Sequence, residues 1–293
     1  MQNLVYKPAR IITKNTHHYI AVPELVVLNG QAGWGETLYV KDVFPDTNLI
    51  NYFEFFYRAK GADTDFDPEF PNTLDDVLRI RTKNSINLLA LQARDAGISP
   101  TQWQKNLYPS EFQAKLSVIH KGINTDVAKP NPQAEFTLSN GKKLSTKNKV
   151  VTYVTGNLER YRGSHQLMRA LPEICQSQPD CHVLIVGGDE VSYSRKPDGG
   201  LNYREKMLNE MQIDQNRMHF LGKLLYVDYL SVLQISSAHV YLTVPFVLSR
   251  PMLEAMALGC VATASNTAPV SELIMVKMVF YLIFSHPLKL QIK

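Results

Sequence analysis

The chain has 293 residues, enough for about two domains at roughly 150 residues each. Its 31 basic and 27 acidic side chains leave a formal charge of +4, too slight a bias for a nucleic-acid binder, which needs clustered cations against phosphates. A hydrophobic fraction of 45% with 20% charged residues supports a packed core and excludes a disordered chain.

In chain order, residues 24–29 and 49–56 read as strands. Thr73, followed by Asp75 and Asp76, marks the N-cap of a helix reaching about residue 96, with Gly97 as its end. Residues 115–119 form a further strand. The stretch 126–149 holds Pro130, Pro132 and five lysines, and carries Asn140-Gly141 between two short segments, 136–138 and 142–144, a two-residue hairpin signal. It reads as a linker between a first domain, 1–125, and a second beginning at 150. From there strands at 150–155, 182–186, 218–221, 239–244 and 260–265 alternate with helices at 164–175, 202–211, 227–236, 251–258 and 269–274. Strands with almost no polar alternation, each followed by a helix, indicate a parallel sheet covered on both faces, a doubly wound α/β domain.

The longest apolar stretches, residues 238–248 and 278–284, fall short of the ~18–20 residues of a membrane span. Lys7 and Arg10 are not followed by an apolar segment, so no signal peptide is expected. Cys175, Cys181 and Cys260 lack metal-ligand spacing and are expected as free thiols in a reducing cytoplasm. His17 and His18 read as surface residues.

Ligands of open α/β sheets bind beyond the carboxyl ends of the strands. Three such places stand out. Residues 155–163 (TGNLERYRG) follow a strand with two arginines able to neutralise phosphate; a solvated charged loop is the alternative. Gly187-Gly188 end another strand, where glycine allows close backbone approach or simply turns the chain. Neither loop has the Gly-x-Gly-x-x-Gly spacing of dinucleotide binders, which argues against a nicotinamide-dependent oxidoreductase. In residues 245–260, Pro251 suits a helix start and Glu254 lies in the first turn. That carboxylate would serve the helix alone or a ligand held at the terminal amides.

LEAMALGC at 253–260, followed by Ala264-Ser265 and PVSELI at 269–274, resembles the C-terminal signature of group 1 (family four) retaining glycosyltransferases. Residues 157–163, HVLIVGG at 182–188 and HFLG at 219–222 match in order. GWGETL at 33–38, YFEFFY at 52–57 and VIHKGI at 118–123 resemble the acceptor half of a bacterial branch. The resemblance implies the GT-B fold: two Rossmann-like domains across a cleft, the nucleotide sugar on the C-terminal one. It implies that Glu254 binds the ribose hydroxyls and that the amides around Met252 and Leu253 hold the diphosphate. Arg162 stands where the family has a phosphate-binding lysine. Asn157 and Gly187 would line the donor pocket, and Lys223-Leu224 would flank the base. Glu36 and Glu54 are the acceptor-side candidates. No metal or other cofactor is expected, so cations and the helix terminus must stabilise the leaving diphosphate. Three positions depart from the pattern: Phe246 replaces a glutamate, Gly156 an arginine and Gln31 a histidine.

The likeness stops at Ile274. Met-Val at 275–276 and 278–279 is encoded ATG-GTN, whose shifted frame reads glycine, and Phe280-Tyr281 shifts to leucine, as the family pattern continues. Residues 275–293 are therefore expected to be an out-of-frame tail; a short C-terminal strand is the alternative. Both domains are expected to be incomplete.

These readings predict a transferase moving a sugar from a UDP- or GDP-type donor to a glycan or lipid-linked acceptor in surface polysaccharide or lipopolysaccharide assembly. It is expected in the cytoplasm, at the inner face of the membrane through peripheral contact, with no nucleic-acid partner. The alternatives are a truncated, non-catalytic nucleotide-binding fragment and, more distantly, a GT-B sugar-nucleotide epimerase.

Overall fold

The computed structural model describes residues 25–31, 33, 35, 37–211, 214, 216–273 and 279–282, and divides the chain into two compact units, Met1–Lys121 and Gly122–Lys293. Glu36, His17, His18 and most of residues 275–293 lie outside the described residues.

In the first unit, β1 (Leu25–Gln31), β2 (Asn48–Tyr52), β3 (Ala96–Ser99) and β4 (Leu116–Val118) pair in parallel, in chain order. The short helix α1 (Val40–Val43) lies between β1 and β2 in the chain. Helix α2 (Leu74–Ala93) opens on a capping box, with Thr73 Oγ1 accepting from Asp76 N and Asp76 Oδ2 from Thr73 N. Two short helices, α3 (Gln102–Leu107) and α4 (Ser110–Gln113), precede β4.

Two elements differ from their sequence expectation. The strand expected to reach residue 56 stops at Tyr52. Phe53 N still donates to Ile98 O of β3, but Phe55 and Phe56 are buried beyond the ladder, and Phe53 and Phe56 lie 5.5 and 5.3 Å from the Tyr108 ring. An apolar run reports burial, and here aromatic packing provides it. The helix expected to end at Gly97 stops at Ala93, and Gly97 sits inside β3. Its lack of a side chain is a packing requirement, since a Cβ there would lie 2.4 Å from Leu116 Cδ2 and 2.7 Å from the Phe53 ring. Gly97→Ala is expected to cost about 1–3 kcal/mol through overpacking, read as a lower urea midpoint. An unchanged midpoint would contradict this packing.

The second unit opens with β5 (Glu135–Thr137) and β6 (Lys143–Ser145), an antiparallel hairpin. Its loop has three residues rather than the expected two. Leu138 N donates to Lys142 O, Gly141 N donates to Leu138 O, and Gly141 adopts φ +84°, a turn closed by a left-handed residue. Leu138 and Leu144 are buried in the same cluster as Val150, Leu230 and Leu233.

The main sheet follows, all parallel: β7 (Val150–Asn157), β8 (His182–Gly188), β9 (Met218–Gly222), β10 (Ala238–Tyr241), β11 (Val261–Ser265) and β12 (Val279–Leu282). Between them run α5 (Ser164–Ser177), α6 (Tyr203–Glu210), α7 (Tyr226–Gln234), α8 (Arg250–Ala257) and α9 (Ala268–Leu273). The order is β12-β11-β10-β7-β8-β9. Counted from β7 as the first strand, this is the 3-2-1-4-5-6 arrangement of nucleotide-binding sheets, with its topological switch point between β7 and β10. The backbone of β12 pairs with β11 along residues 279–282.

All three cysteines are free and buried, and burial pushes their thiols up, Cys260 to about 11. Among the described residues no helix is long and apolar enough to cross a membrane.

Candidate functional site

The switch point brings together the loops leaving β7 and β10. After β7 the chain makes one 3-10 turn, Arg160–Arg162, closed by Gly163 at φ +64°. Only glycine takes that conformation without strain, and it feeds directly into α5. The turn places Arg162 beneath the β10 loop with 8% exposure. Its Nη1 donates to Thr243 Oγ1 at 3.1 Å and to Val247 O at 3.0 Å. Val244 N also donates to Tyr161 O, so the two loops are tied through backbone as well.

The β10 loop delivers α8. Pro251 sits in its first turn, as a fixed φ and a missing N–H allow. Ser249 gives the helix no side-chain cap; its hydroxyl donates to Tyr241 Oη instead. The first-turn amides, those of Met252 and Leu253 among them, therefore lack that common partner. The Met252 side chain is buried and Leu253 packs against the same cluster of Tyr241, Ala264 and Val270. Glu254, one turn along, is 4% exposed. Tyr226 donates to its Oε1 at 2.9 Å and Tyr229 to its Oε2 at 2.5 Å. Burial, then the carboxylate beside them, push both phenols up.

Asn157, at the end of β7, donates through Nδ2 to Ser192 Oγ at 2.7 Å, while its buried Oδ1 has no hydrogen-bond partner among the described residues. Gly187 and Gly188 end the neighbouring strand. A Cβ at 187 would meet Thr155 at 2.9 Å, and one at 188 would meet Asn157 Oδ1 and Lys223 Cε at 2.6 Å. These glycines keep the sheet edge open where Asn157 and Lys223 converge. Lys223 pairs with Glu190 at 3.4 Å, both largely exposed, and Leu224 packs on the core. Arg162, Asn157, Gly187, Lys223, Leu224, Met252, Leu253 and Glu254 thus lie at the carboxyl edge of one sheet or on the elements leaving it.

Sequence reasoning missed three residues. Glu159 is 1% exposed, and its Oε2 accepts from the backbone of Ser192, Tyr193 and Ser194 and from Ser194 Oγ, at 2.9–3.3 Å. It clasps the loop after β8. Tyr193 on that loop lies 4.8 Å from Phe246, and the Arg162 guanidinium sits over both rings at 5.7 and 5.5 Å. Where the resemblance puts a glutamate, Phe246 instead gives Arg162 an aromatic wall. Tyr226 and Tyr229, the other two, sit in the unremarkable start of an amphipathic helix. The only usable signal was their three-residue spacing, which puts both on one helix face.

In the first unit Glu54 is buried at the end of the β2 segment, its Oε1 3.1 Å from Lys121 Nζ. Lys121 also lies 4.6 Å from the centre of the Tyr52 ring.

Residues 21–128 match the family model described as glycosyl transferase family 4 group, and residues 136–277 the one described as glycosyl transferases group 1. Both halves belong to glycosyltransferase families. No curated protein sequence matches the chain. Sucrose-phosphate synthase from Thermosynechococcus elongatus shares 17% identity with a TM-score of 0.62, over 92% of this chain and 63% of that one. TarM of S. aureus, in complex with fondaparinux, α-GlcNAc-glycerol and UDP, shares 13% identity and a TM-score of 0.64, over 95% of this chain and 49% of that one. The catalytic domain of starch synthase IV from Arabidopsis thaliana, bound to ADP and acarbose, shares 13% with a TM-score of 0.60, over 92% and 61%. Such likenesses show the fold, the GT-B fold of Rossmann-like α/β domains. This glycosyltransferase-family chain spans about half to two thirds of the length of these structures.

Proposed function

We propose that the chain is a retaining, metal-independent glycosyltransferase. It moves a sugar from a nucleoside diphosphate to a glycan or lipid-linked acceptor in surface polysaccharide assembly. The observation that carries this reading is the meeting of a buried arginine, an uncapped helix start and a buried carboxylate at one switch point.

Each part has a role in that chemistry. The first-turn amides of α8 and Arg162 meet the diphosphate; held away from water, a fixed cation stabilises charge developing on the leaving group. Glu254 accepts from the ribose hydroxyls, since a carboxylate can accept from both hydroxyls of a cis diol. Asn157 Oδ1 supplies a further acceptor, the two glycines admit the ligand closely, and Lys223 with Leu224 flanks the base. UDP and GDP are the proposed donor nucleotides. Glu54 and Glu36 serve the acceptor, and a lipid-linked acceptor would bring the protein into peripheral contact with a membrane face. The nucleoside diphosphates bound in the TarM and starch synthase structures support a donor of this class.

The test is release of nucleoside diphosphate from UDP-, GDP- and ADP-sugars with glycan and lipid-linked acceptors, in buffer with and without EDTA. Turnover of one base class, unaffected by EDTA and with the donor's anomeric configuration kept, is expected; no release from any donor would overturn it. Binding without release would assign the chain to nucleotide binding alone, a reading favoured by Phe246 standing where the resemblance puts a carboxylate. Glu254→Ala is expected to raise KM for the donor about 5–150-fold, for about 1–3 kcal/mol of lost hydrogen bonding to a charged group.

A further inference from the structure

Tyr226 and Tyr229 hold the same carboxylate from very different positions. Tyr229 is buried, its hydroxyl on Glu254 Oε2. Tyr226 is 48% exposed, at the first residue of α7, and its hydroxyl lies on Oε1. Its chain neighbours Leu225 and Val227 are also exposed, at 74% and 65%, and Leu225 provides no side-chain cap to the helix. The Tyr226 side chain is therefore little restrained by packing, apart from its ring stacked at 5.8 Å on Tyr229. Its strongest tie is the one hydrogen bond to a carboxylate oxygen.

We infer that Tyr226 is a placeholder for a ribose hydroxyl, a specificity-determining residue that satisfies Glu254 Oε1 until a nucleotide takes its place, while Tyr229 is the residue that positions the carboxylate. This rests on the reading of Glu254 as the ribose acceptor. A buried carboxylate without a donor is costly, so an empty site gains from an internal hydroxyl. That hydroxyl then competes with the ligand's. A nucleotide offering hydroxyls at the same place exchanges one hydrogen bond for another, whereas a ligand without them must leave Tyr226 where it is. Discrimination for ribose follows from this competition. The displaced ring, still hinged at the start of α7, becomes an aromatic surface beside the Lys223-Leu224 segment that precedes it.

The sign of one substitution separates placeholder from holder. Wild type, Tyr226→Phe, Tyr229→Phe and Glu254→Ala would be titrated with UDP, GDP and ADP and with the 2′,3′-dideoxy form of whichever binds. Removing a competing hydrogen bond of ordinary strength should make Tyr226→Phe bind the ribonucleotide about fivefold tighter, with no gain for the dideoxy form. Its unliganded Tm should fall while the nucleotide-induced rise in Tm grows, which a loss of packing alone would not produce. Tyr229→Phe should bind more weakly. Affinity of Tyr226→Phe equal to or below wild type, with Glu254→Ala weakened, would overturn the placeholder and leave the donor site standing. If Glu254→Ala binds as wild type does, or no nucleotide binds at all, the donor reading falls and the placeholder with it.

Discussion

Glu159→Ala is expected to lower the stability of the second unit by about 2–4 kcal/mol, a fall in Tm of about 5–15 °C for a unit of this size. A single carboxylate oxygen, buried under the loop that follows β8, accepts three successive backbone amides and one hydroxyl. Removing it leaves those donors without their shared partner, and the loop must hydrate them by moving outward. Ser192 and Tyr193 are already exposed, so water offsets part of the loss and keeps the estimate below a full four-bond sum. Tyr193 moves with the loop, and Arg162 loses one of its two aromatic walls. Nucleotide affinity should therefore drop in the folded variant as well, although Glu159 itself is not assigned to ligand contact. Glu159→Gln keeps an acceptor oxygen of the same reach and should lose less than half as much. Chemical denaturation of the three proteins checks this, and a Glu159→Ala variant within 0.5 kcal/mol of wild type would contradict the clasp.

Acid should cost the second unit about 3 kcal/mol between pH 6.5 and 4 through His239 alone. The ring is fully buried in β10, its Nδ1 3.0 Å from Thr152 Oγ1, and burial depresses its pKa to about 4. Thr152 Oγ1 in turn meets Ser236 Oγ at 2.8 Å, and among the described residues no charged group takes part in this network. The unfolded chain takes up its proton near the ordinary histidine value while the folded chain resists it. Stability is thus fully present above about pH 6.5 and falls with acid until the folded protein also protonates near 4. His182 and His219 add to the slope in the same direction. His182 Nδ1 lies 3.1 Å from His219 Nε2 and Lys142 Nζ 2.8 Å from His182 Nε2; burial, then Lys142 for His182 and His182 with Lys142 for His219, lower both pKa values. Arg217 bears on His182 as well, opposed by Asp214. Unfolding free energies of wild type and His239→Gln across this range should converge toward acid; parallel curves would contradict the buried neutral imidazole.

The second unit was largely legible because its strands are buried on both faces. A short apolar run such as β8 between turn signals has few other solutions, and the strand-helix alternation then dictates a parallel sheet. The first unit hid two features for one reason. Apolar and glycine signals report an environment, and neither the aromatic packing of Phe53–Phe56 nor the close approach of Phe53 and Leu116 to Gly97 is local in sequence. In the site, Arg162 and Glu254 were legible through loop position and resemblance to a known signature. Glu159 was not, because its partners lie 33 to 35 residues away on a loop without a motif. Nor were Tyr226 and Tyr229, whose meeting with Glu254 depends on α7 packing beside α8. Against the family pattern Phe246 is the loss of a carboxylate, and in the structure its ring is a wall for Arg162.

In the proposed reaction the carboxyl edge of the second sheet binds a nucleoside diphosphate through Glu254 and Arg162. Titration calorimetry of UDP, GDP and ADP against wild type, Glu254→Ala and Arg162→Ala tests it most directly. One nucleotide should bind wild type, more weakly to Glu254→Ala by about 1–3 kcal/mol and more weakly still once Arg162 is gone, with circular dichroism confirming that the variants fold. Equal affinity for wild type and both folded variants, or no binding by any nucleotide, would contradict it.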